Sequence, residues 1–258
     1  LAGIHPPKGW DVTTVVVENH THEAEDIAVR HGARYELLAT GNASIARNHG
    51  FHLFPGADVV AFLDDDAVPQ QDWLERLAAP ILAGDADATV GRCVVKFDGD
   101  VPDFVRPYYV DTDVALDPDA PFLIGMNMAV RPDAFRAVGG FPENLGPGAP
   151  LGGEDLLLSS MMRKAGYHLQ AVLAAEVRHD IPAHRVTREV LLRRMKWAGR
   201  GEGWIAHHWF SSTPRLLPLR LLRSQLLLLG RHPLDRELVL SLRYWRERQM
   251  LAERLKRA

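Results

Sequence analysis

Three consecutive carboxylates, Asp64-Asp65-Asp66, close an apolar run in which four of the five residues from Val59 to Leu63 are bulky. Such a run, bounded by charge, predicts a buried strand of a parallel sheet. The carboxyl end of such a strand is where open α/β sheets place their ligands. Adjacent carboxylates repel one another unless a cation or hydrogen-bond donors neutralise them. Hard oxygen ligands in that place suit Mg2+ or Mn2+ carrying a substrate phosphate. Alternation along the strand would point Asp64 and Asp66 one way and Asp65 the other. The competing reading is a solvated acidic turn capping a helix that starts near Gln70, since Asp is a common N-cap.

The other candidates are Glu18 and Asn19 after a β-branched run, Arg47 within Ala46-Arg47-Asn48, Glu154-Asp155 after Gly152-Gly153, and His179. The last three have plainer alternatives. Arg47 could form a surface ion pair of little energetic value. Glu154 and Asp155 could complement a helix dipole, and a lone histidine such as His179 is commonly structural.

These groups need elements to hold them. Val12 to Val17 is β-branched and predicts a strand. Thr21 or a neighbour could cap a helix over 23–31, and Tyr35 to Leu38 predicts a second strand. Asn42 or Ser44 could cap a helix carrying Arg47 in its first turns. The acidic strand follows, then a helix from about Asp72 to Leu82 with Trp73, Leu74, Leu77 and Ile81 on one face. Strand and helix alternate to this point, which predicts a parallel sheet with right-handed crossovers. Further strands are expected over 89–97, 122–130 and 168–177, with an irregular Asp- and Pro-rich excursion over 98–121. Pro132 opens a short helix. The glycine-rich segment before Glu154 reads as a mobile loop, and a helix runs from Glu154-Asp155 to Lys164. A further helix starts at Thr187 and is expected to weaken or kink over Gly199 to Gly203. Leu216 to Leu229 is leucine-rich but interrupted by Pro218, Arg220 and Arg223, too short and charged to span a bilayer. It could lie on a membrane surface or, as the commoner outcome, pack as a core helix.

The chain has 258 residues with 47% hydrophobic and 24% charged content, enough for a sizeable core and unlike a disordered chain. Cys93 is the one cysteine, which excludes a disulfide framework or a cysteine zinc cluster and fits a reducing compartment. No signal-peptide pattern opens the sequence, and a cytoplasmic location is expected, with contact at the inner membrane face as an option. The net charge of −3 hides an asymmetry. Residues 1–184 carry 13 Lys+Arg against 27 Asp+Glu, a balance of −14, while residues 185–258 carry 17 against 6, a balance of +11. This suggests a catalytic part over 1–184 and a basic, leucine-rich helical part over 185–258, able to meet phosphate, anionic lipid, an acidic partner or a second copy. The arginines are diluted by leucine rather than interleaved with aromatics, so nucleic-acid binding is not expected.

Taken in order, Ala46-Arg47-Asn48, Asp64-Asp65-Asp66, Gly125-Met126-Asn127-Met128-Ala129-Val130-Arg131, Gly139-Gly140-Phe141, Gly152-Gly153-Glu154-Asp155 and His179 resemble the inverting nucleotide-sugar glycosyltransferases of family 2. The resemblance covers roughly residues 12–200. It implies a GT-A fold, Rossmann-like, with a mainly parallel sheet flanked by helices and here a C-terminal helical extension. It implies that Glu18, with Asn19 nearby, binds the nucleotide base and that Arg47 meets the nucleotide. Asp64 and Asp65 would serve the ribose and a water shell, and Asp66 would bind Mn2+ or Mg2+ with His179 as a further ligand or phosphate contact. Asp155 would be the general base, positioned by Glu154. The donor would be a nucleotide-diphospho-sugar, with uridine as the default base, and the acceptor a saccharide, lipid-linked or small-molecule hydroxyl. Trp204 or Trp209 could stack on an acceptor sugar, and the glycine-rich segment over 146–153 could close over it. One departure is that Val12 to Val17 looks like the family's second strand. The first, with its base-holding turn, is therefore expected to lie outside these residues, leaving open sheet edges. Two other readings remain at this level: a nucleotidyltransferase, which also joins an α/β sheet to acidic metal ligands, and a non-catalytic scaffold or membrane-surface module.

Overall fold

The computed structural model describes every residue except 2, 21, 110, 113–116, 118, 213, 257 and 258. The β-branched run becomes strand β1 (Val15–Asn19), starting later than expected and carrying Glu18 and Asn19 at its end. It pairs in parallel with β2 (Arg34–Leu38) across the helix α1 (Glu25–Arg30). The expected cap, Thr21, lies outside the described residues. Glu18 does that work instead, accepting hydrogen bonds from the N–H groups of Glu23 (3.1 Å) and Ala24 (3.1 Å) at the entry to α1.

Helix α2 (Ala43–His52) follows, then β3 (Val60–Leu63), the acidic turn, β4 (Ala67–Pro69), α3 (Trp73–Ala83) and β5 (Ala88–Phe97). The excursion contains a 3-10 segment (Asp103–Tyr109). Then come β6 (Asn127–Val130), α4 (Pro132–Val138), α5 (Glu154–Lys164), β7 (Leu169–Ile181) and a 3-10 turn (Ala183–Val186). Three helices end the chain: α6 (Arg188–His208), α7 (Leu217–Leu228) and α8 (Leu234–Leu255).

The α/β architecture is as expected, but the strand directions correct the parallel reading. Besides the β1–β2 pair, a second sheet has the order β3-β6-β5-β7-β4. There β5 and β7 are parallel, while β3–β6, β5–β6 and β4–β7 are antiparallel. The cause is local. Strand β4 folds back straight after the acidic turn, and β6 enters after a non-helical excursion rather than a helical crossover. β1 and β3 each stand at a sheet margin among the described residues.

The core lies between this sheet and α2, α3, α4 and α5, around Phe62, Trp73, Leu77, Met128, Phe135, Phe141, Leu158 and Met162. Asn127, fully buried in β6, ties its layers together. Its Oδ1 accepts from Trp73 Nε1 (2.7 Å), and its Nδ2 donates to the carbonyls of Arg92 (2.9 Å) and Ala175 (3.0 Å). Every polar atom of that side chain is therefore satisfied by three different elements or their flanks.

Two expectations about the C-terminal helices fail. Helix α6 runs unbroken through its glycines, because they meet backbone on both flanks. A Cβ on Gly199 or Gly203 would stand 2.4 Å from the carbonyl oxygen of Leu242 or Arg246 in α8, and one on Gly201 would stand 1.8 Å from that of Gly152. The glycines are a packing requirement that outweighs their poor helix propensity. Helix α7 is only partly a core helix: it buries Leu217 and Ser224, Leu221, Leu227 and Leu228 are half-buried, and Leu219, Leu222 and Leu226 are exposed.

Candidate active site

Helix α2 sets the first part of the site. Asn42 caps it, accepting from the Ile45 N–H (3.1 Å), and the Ala43 N–H donates to the Pro147 carbonyl (2.9 Å). This brings Arg47 under Asp64, with Nη2 donating to Oδ1 at 2.7 Å, and places its Nη1 3.7 Å from Glu154 Oε1. Phe141 lies under the guanidinium at 5.3 Å. A Cβ on Gly125 would stand 2.6 Å from the guanidinium carbon, so glycine there leaves room for Arg47. The Gly125 N–H in turn donates to Asp155 Oδ2 (3.0 Å). Groups from the end of β3 and the start of α5, separated by about ninety residues of sequence, thus converge on one cation.

That convergence sets the electrostatics. Burial works against the charge of Arg47, but Asp64, Asp155 and Glu154 outweigh it and hold the guanidinium protonated. Burial drives Glu154 up to about 8, reinforced by the charge of Asp155 and opposed by Arg47. Asp155 is also raised by burial, opposed by Arg47 and the Gly125 N–H. Asp155 Oδ1 is shielded from solvent without a hydrogen-bond partner, as is Arg47 Nη1.

The acidic run is not a strand continuation. The Ala67 N–H closes a turn onto the Asp64 carbonyl (3.2 Å), so strict alternation does not apply. Asp64 turns to Arg47 and Asp65 is exposed. Asp66 Oδ2 takes His179 Nε2 (3.2 Å) and Arg185 Nη1 (2.9 Å). Burial opposes the charge of Asp66, but His179 and Arg185 outweigh it and hold the carboxyl at about 2. His179 is brought there by the β4–β7 pairing, which sets it opposite Ala67. It is buried, and its Nδ1 has no partner.

Glu18 and Asn19 sit at the end of β1. The Glu18 carboxylate is engaged by the α1 entry and by the Tyr35 hydroxyl (2.7 Å). Asn19 Oδ1 is buried without a partner. The glycine-rich segment is not a free lid. Ser44 Oγ donates to the Leu145 carbonyl (2.7 Å), Asn42 Nδ2 to that of Glu143 (2.7 Å) and Trp197 Nε1 to that of Ala149 (3.1 Å). Leu145 and Leu151 are buried with Leu157 and Ile205, against which Trp204 and Trp209 pack. Both tryptophans are partly buried there.

Sequence reasoning missed Arg185 and the clamps Ser44 and Asn48. Asn48 accepts from the Phe141 N–H (2.9 Å) and donates to its carbonyl (2.9 Å). No local pattern marks Arg185, a single arginine six positions after His179. The expected boundary at 184/185 runs through this site, since Arg185 reaches Asp66 and the Gly152 N–H donates to the Trp197 carbonyl (3.3 Å).

Residues 13–139 match the family described as Glycosyl transferase family 2. That span holds Glu18 to Asp66 and ends before Glu154. The chain is 27% identical over 214 residues to the succinoglycan biosynthesis protein ExoM of Rhizobium meliloti (strain 1021), covering 79% of this chain and 68% of that protein. It superposes on the mannosyltransferase PcManGT of Pyrobaculum calidifontis, solved with GDP-Man and Mn2+, with a TM-score of 0.54 at 15% identity, over 95% of this chain and 66% of that one. It also superposes on GalNAc-T7, solved with UDP, GalNAc and Mn2+, with a TM-score of 0.56 at 15% identity, over 89% and 47%. The chain thus spans about two thirds and about half of those structures, and the likeness establishes the GT-A fold.

Proposed function

From the match of residues 13–139 to glycosyl transferase family 2 we propose that the chain is a member of that family and a metal-dependent inverting glycosyltransferase. It moves a sugar from a nucleotide-diphospho-sugar, with a UDP-sugar as the first choice, to a hydroxyl of a saccharide, lipid-linked or small-molecule acceptor. The observation that carries the reading is the convergence of Asp64, Glu154 and Asp155 around Arg47.

In this reading Asp155 is the general base. Burial raises its affinity for a proton, while the Arg47 charge favours the ionised form that can accept one. Its unpartnered Oδ1 is the atom that would receive the acceptor proton. One base and one displacement give inversion at the anomeric carbon. Glu154 would position the pair, Asn19 and Glu18 would meet the nucleotide base, and Asp64 and Asp65 would serve the ribose.

Asp66 and His179 would hold Mn2+ or Mg2+. Their chemistry fits: a carboxylate and an imidazole side by side, already drawing a cation in the form of Arg185. Among the described residues no group of three such side chains could hold a metal alone, so diphosphate oxygens would complete the coordination, as is usual for Mg2+. The bound ion would supply charge neutralisation to the departing diphosphate. Arg185, beside Asp66, would be placed to meet the same phosphates.

The test is Asp155→Asn, assayed for transfer and, by calorimetry, for donor-nucleotide binding with Mn2+. Transfer should fall by roughly two to four orders of magnitude with binding retained. Undiminished turnover would remove Asp155 from the role.

A further inference from the structure

Helix α7 is amphipathic in the wrong sense for a helix whose surroundings are water. Its inward face is partly polar. Ser224 donates to Glu247 Oε2 (2.6 Å) in α8, and Arg220 donates to Glu247 Oε1 (3.2 Å). Glu247 is itself buried, at 3% exposure, and also takes Arg243 (3.2 Å). This polar anchor fixes the rotation of α7 about its axis. The outward face it leaves is a helical stripe of Leu216, Leu219, Leu222, Leu226 and Leu229, each between 52% and 79% exposed. Spacings of three and four residues put these side chains on one side.

The charge around the stripe is of one sign. Residues 203–234 contain no Asp or Glu and four arginines, all exposed; Arg220 is paired with Glu247, and Arg215, Arg223 and Arg231 are the other three. We propose that α7 docks in the interface of an anionic lipid bilayer, its leucines entering the acyl boundary and these arginines meeting lipid phosphates. A second copy of the same face would set arginine against arginine, which disfavours self-association through it. No helix among the described residues is long and apolar enough to cross a membrane, so the contact is lateral. The inference rests on the C-terminal helices alone and stands apart from the chemistry proposed above.

The test is flotation of the full chain with vesicles of phosphatidylcholine alone and of phosphatidylcholine with about one third phosphatidylglycerol. The chain should float with the anionic vesicles, favour them over the neutral ones, and be released by high salt, which screens the arginines. Leu222→Ser with Leu226→Ser should weaken partitioning roughly tenfold or more while leaving the thermal melt unchanged, because both side chains are exposed. Arg215→Glu with Arg223→Glu should abolish the preference for anionic vesicles, which keeps the test sound if the leucine variant misfolds. Absence of flotation with either vesicle would overturn the proposal. So would a wild-type dimer by light scattering that the leucine variant dissolves without any vesicle binding.

Discussion

Replacing Glu154 by Gln keeps the shape of the side chain and removes its proton equilibrium. Glu154 is 8% exposed at the side chain, beside Asp155 and 3.7 Å from Arg47. Two effects compete there: burial favours the neutral acid, and Arg47 favours the carboxylate. Burial prevails and lifts the group from its ordinary 4.5 to about 8. The sign follows from linkage. A group whose folded pKa lies above its unfolded one stabilises the fold below the unfolded value, and that stabilisation drains away as pH rises through the folded value. Between about pH 5 and about pH 8 the unfolded chain has largely released this proton and the folded chain retains it. Each pH unit then costs about 1.36 kcal/mol, or at most about 4 kcal/mol over the interval. In Glu154→Gln that part of the slope disappears, so the variant should gain on the wild type by up to about 4 kcal/mol across the window. Urea denaturation of both proteins at the two pH values, in chelator-treated buffer, measures the difference. Identical slopes would mean that Arg47 prevails, that Glu154 is ionised in the folded chain at neutral pH, and that the burial argument is wrong.

The remaining predictions concern positioning. Arg185→Met removes a cation that competes for Asp66 Oδ2. Because the pair is partly exposed and worth about 1 kcal/mol or less, Mn2+ affinity measured by calorimetry without nucleotide should rise several-fold at most. A large fall would show that Arg185 supports the metal site instead. Gly201→Ala should destabilise the fold by about 2 kcal/mol or more, although helix propensity alone favours alanine by about 1 kcal/mol, because the new Cβ would meet the Gly152 carbonyl. A higher melting temperature would refute the contact. Asn127→Leu should cost about 3 kcal/mol or more in chemical denaturation, since it orphans Trp73 Nε1 and the carbonyls of Arg92 and Ala175 at once.

Much of the site was legible because its signals are local. An apolar run ending in carboxylates, an Asn cap before Arg47 and an acidic pair at a helix start are each written within a few residues. The α/β fold follows from the same alternation. What escaped depends on partners distant in sequence. Nothing near β6 says that it inserts antiparallel between β3 and β5. The glycines of α6 look like helix weakeners until α8 and Gly152 are placed against them. The outward turn of the α7 leucines is decided by Glu247, some twenty residues further on. Arg185 escaped because a single arginine carries no pattern, and only the β4–β7 pairing reveals what His179 and its followers face.

The glycines of α6 bear on how the carboxylates could be disturbed from afar. This helix meets α8 peptide-to-peptide on one flank and the Gly152 peptide on the other. Side chains can change rotamer to absorb a displacement, but bare backbone in contact with backbone cannot. A tilt imposed on α8, whether by a surface gripping α7 or by a bulky residue in the seam, is therefore handed through α6 as through a rigid wedge. The seam ends at the peptide two residues before Glu154, so the C-terminal helices bear on the buried carboxylate pair through peptide contacts alone.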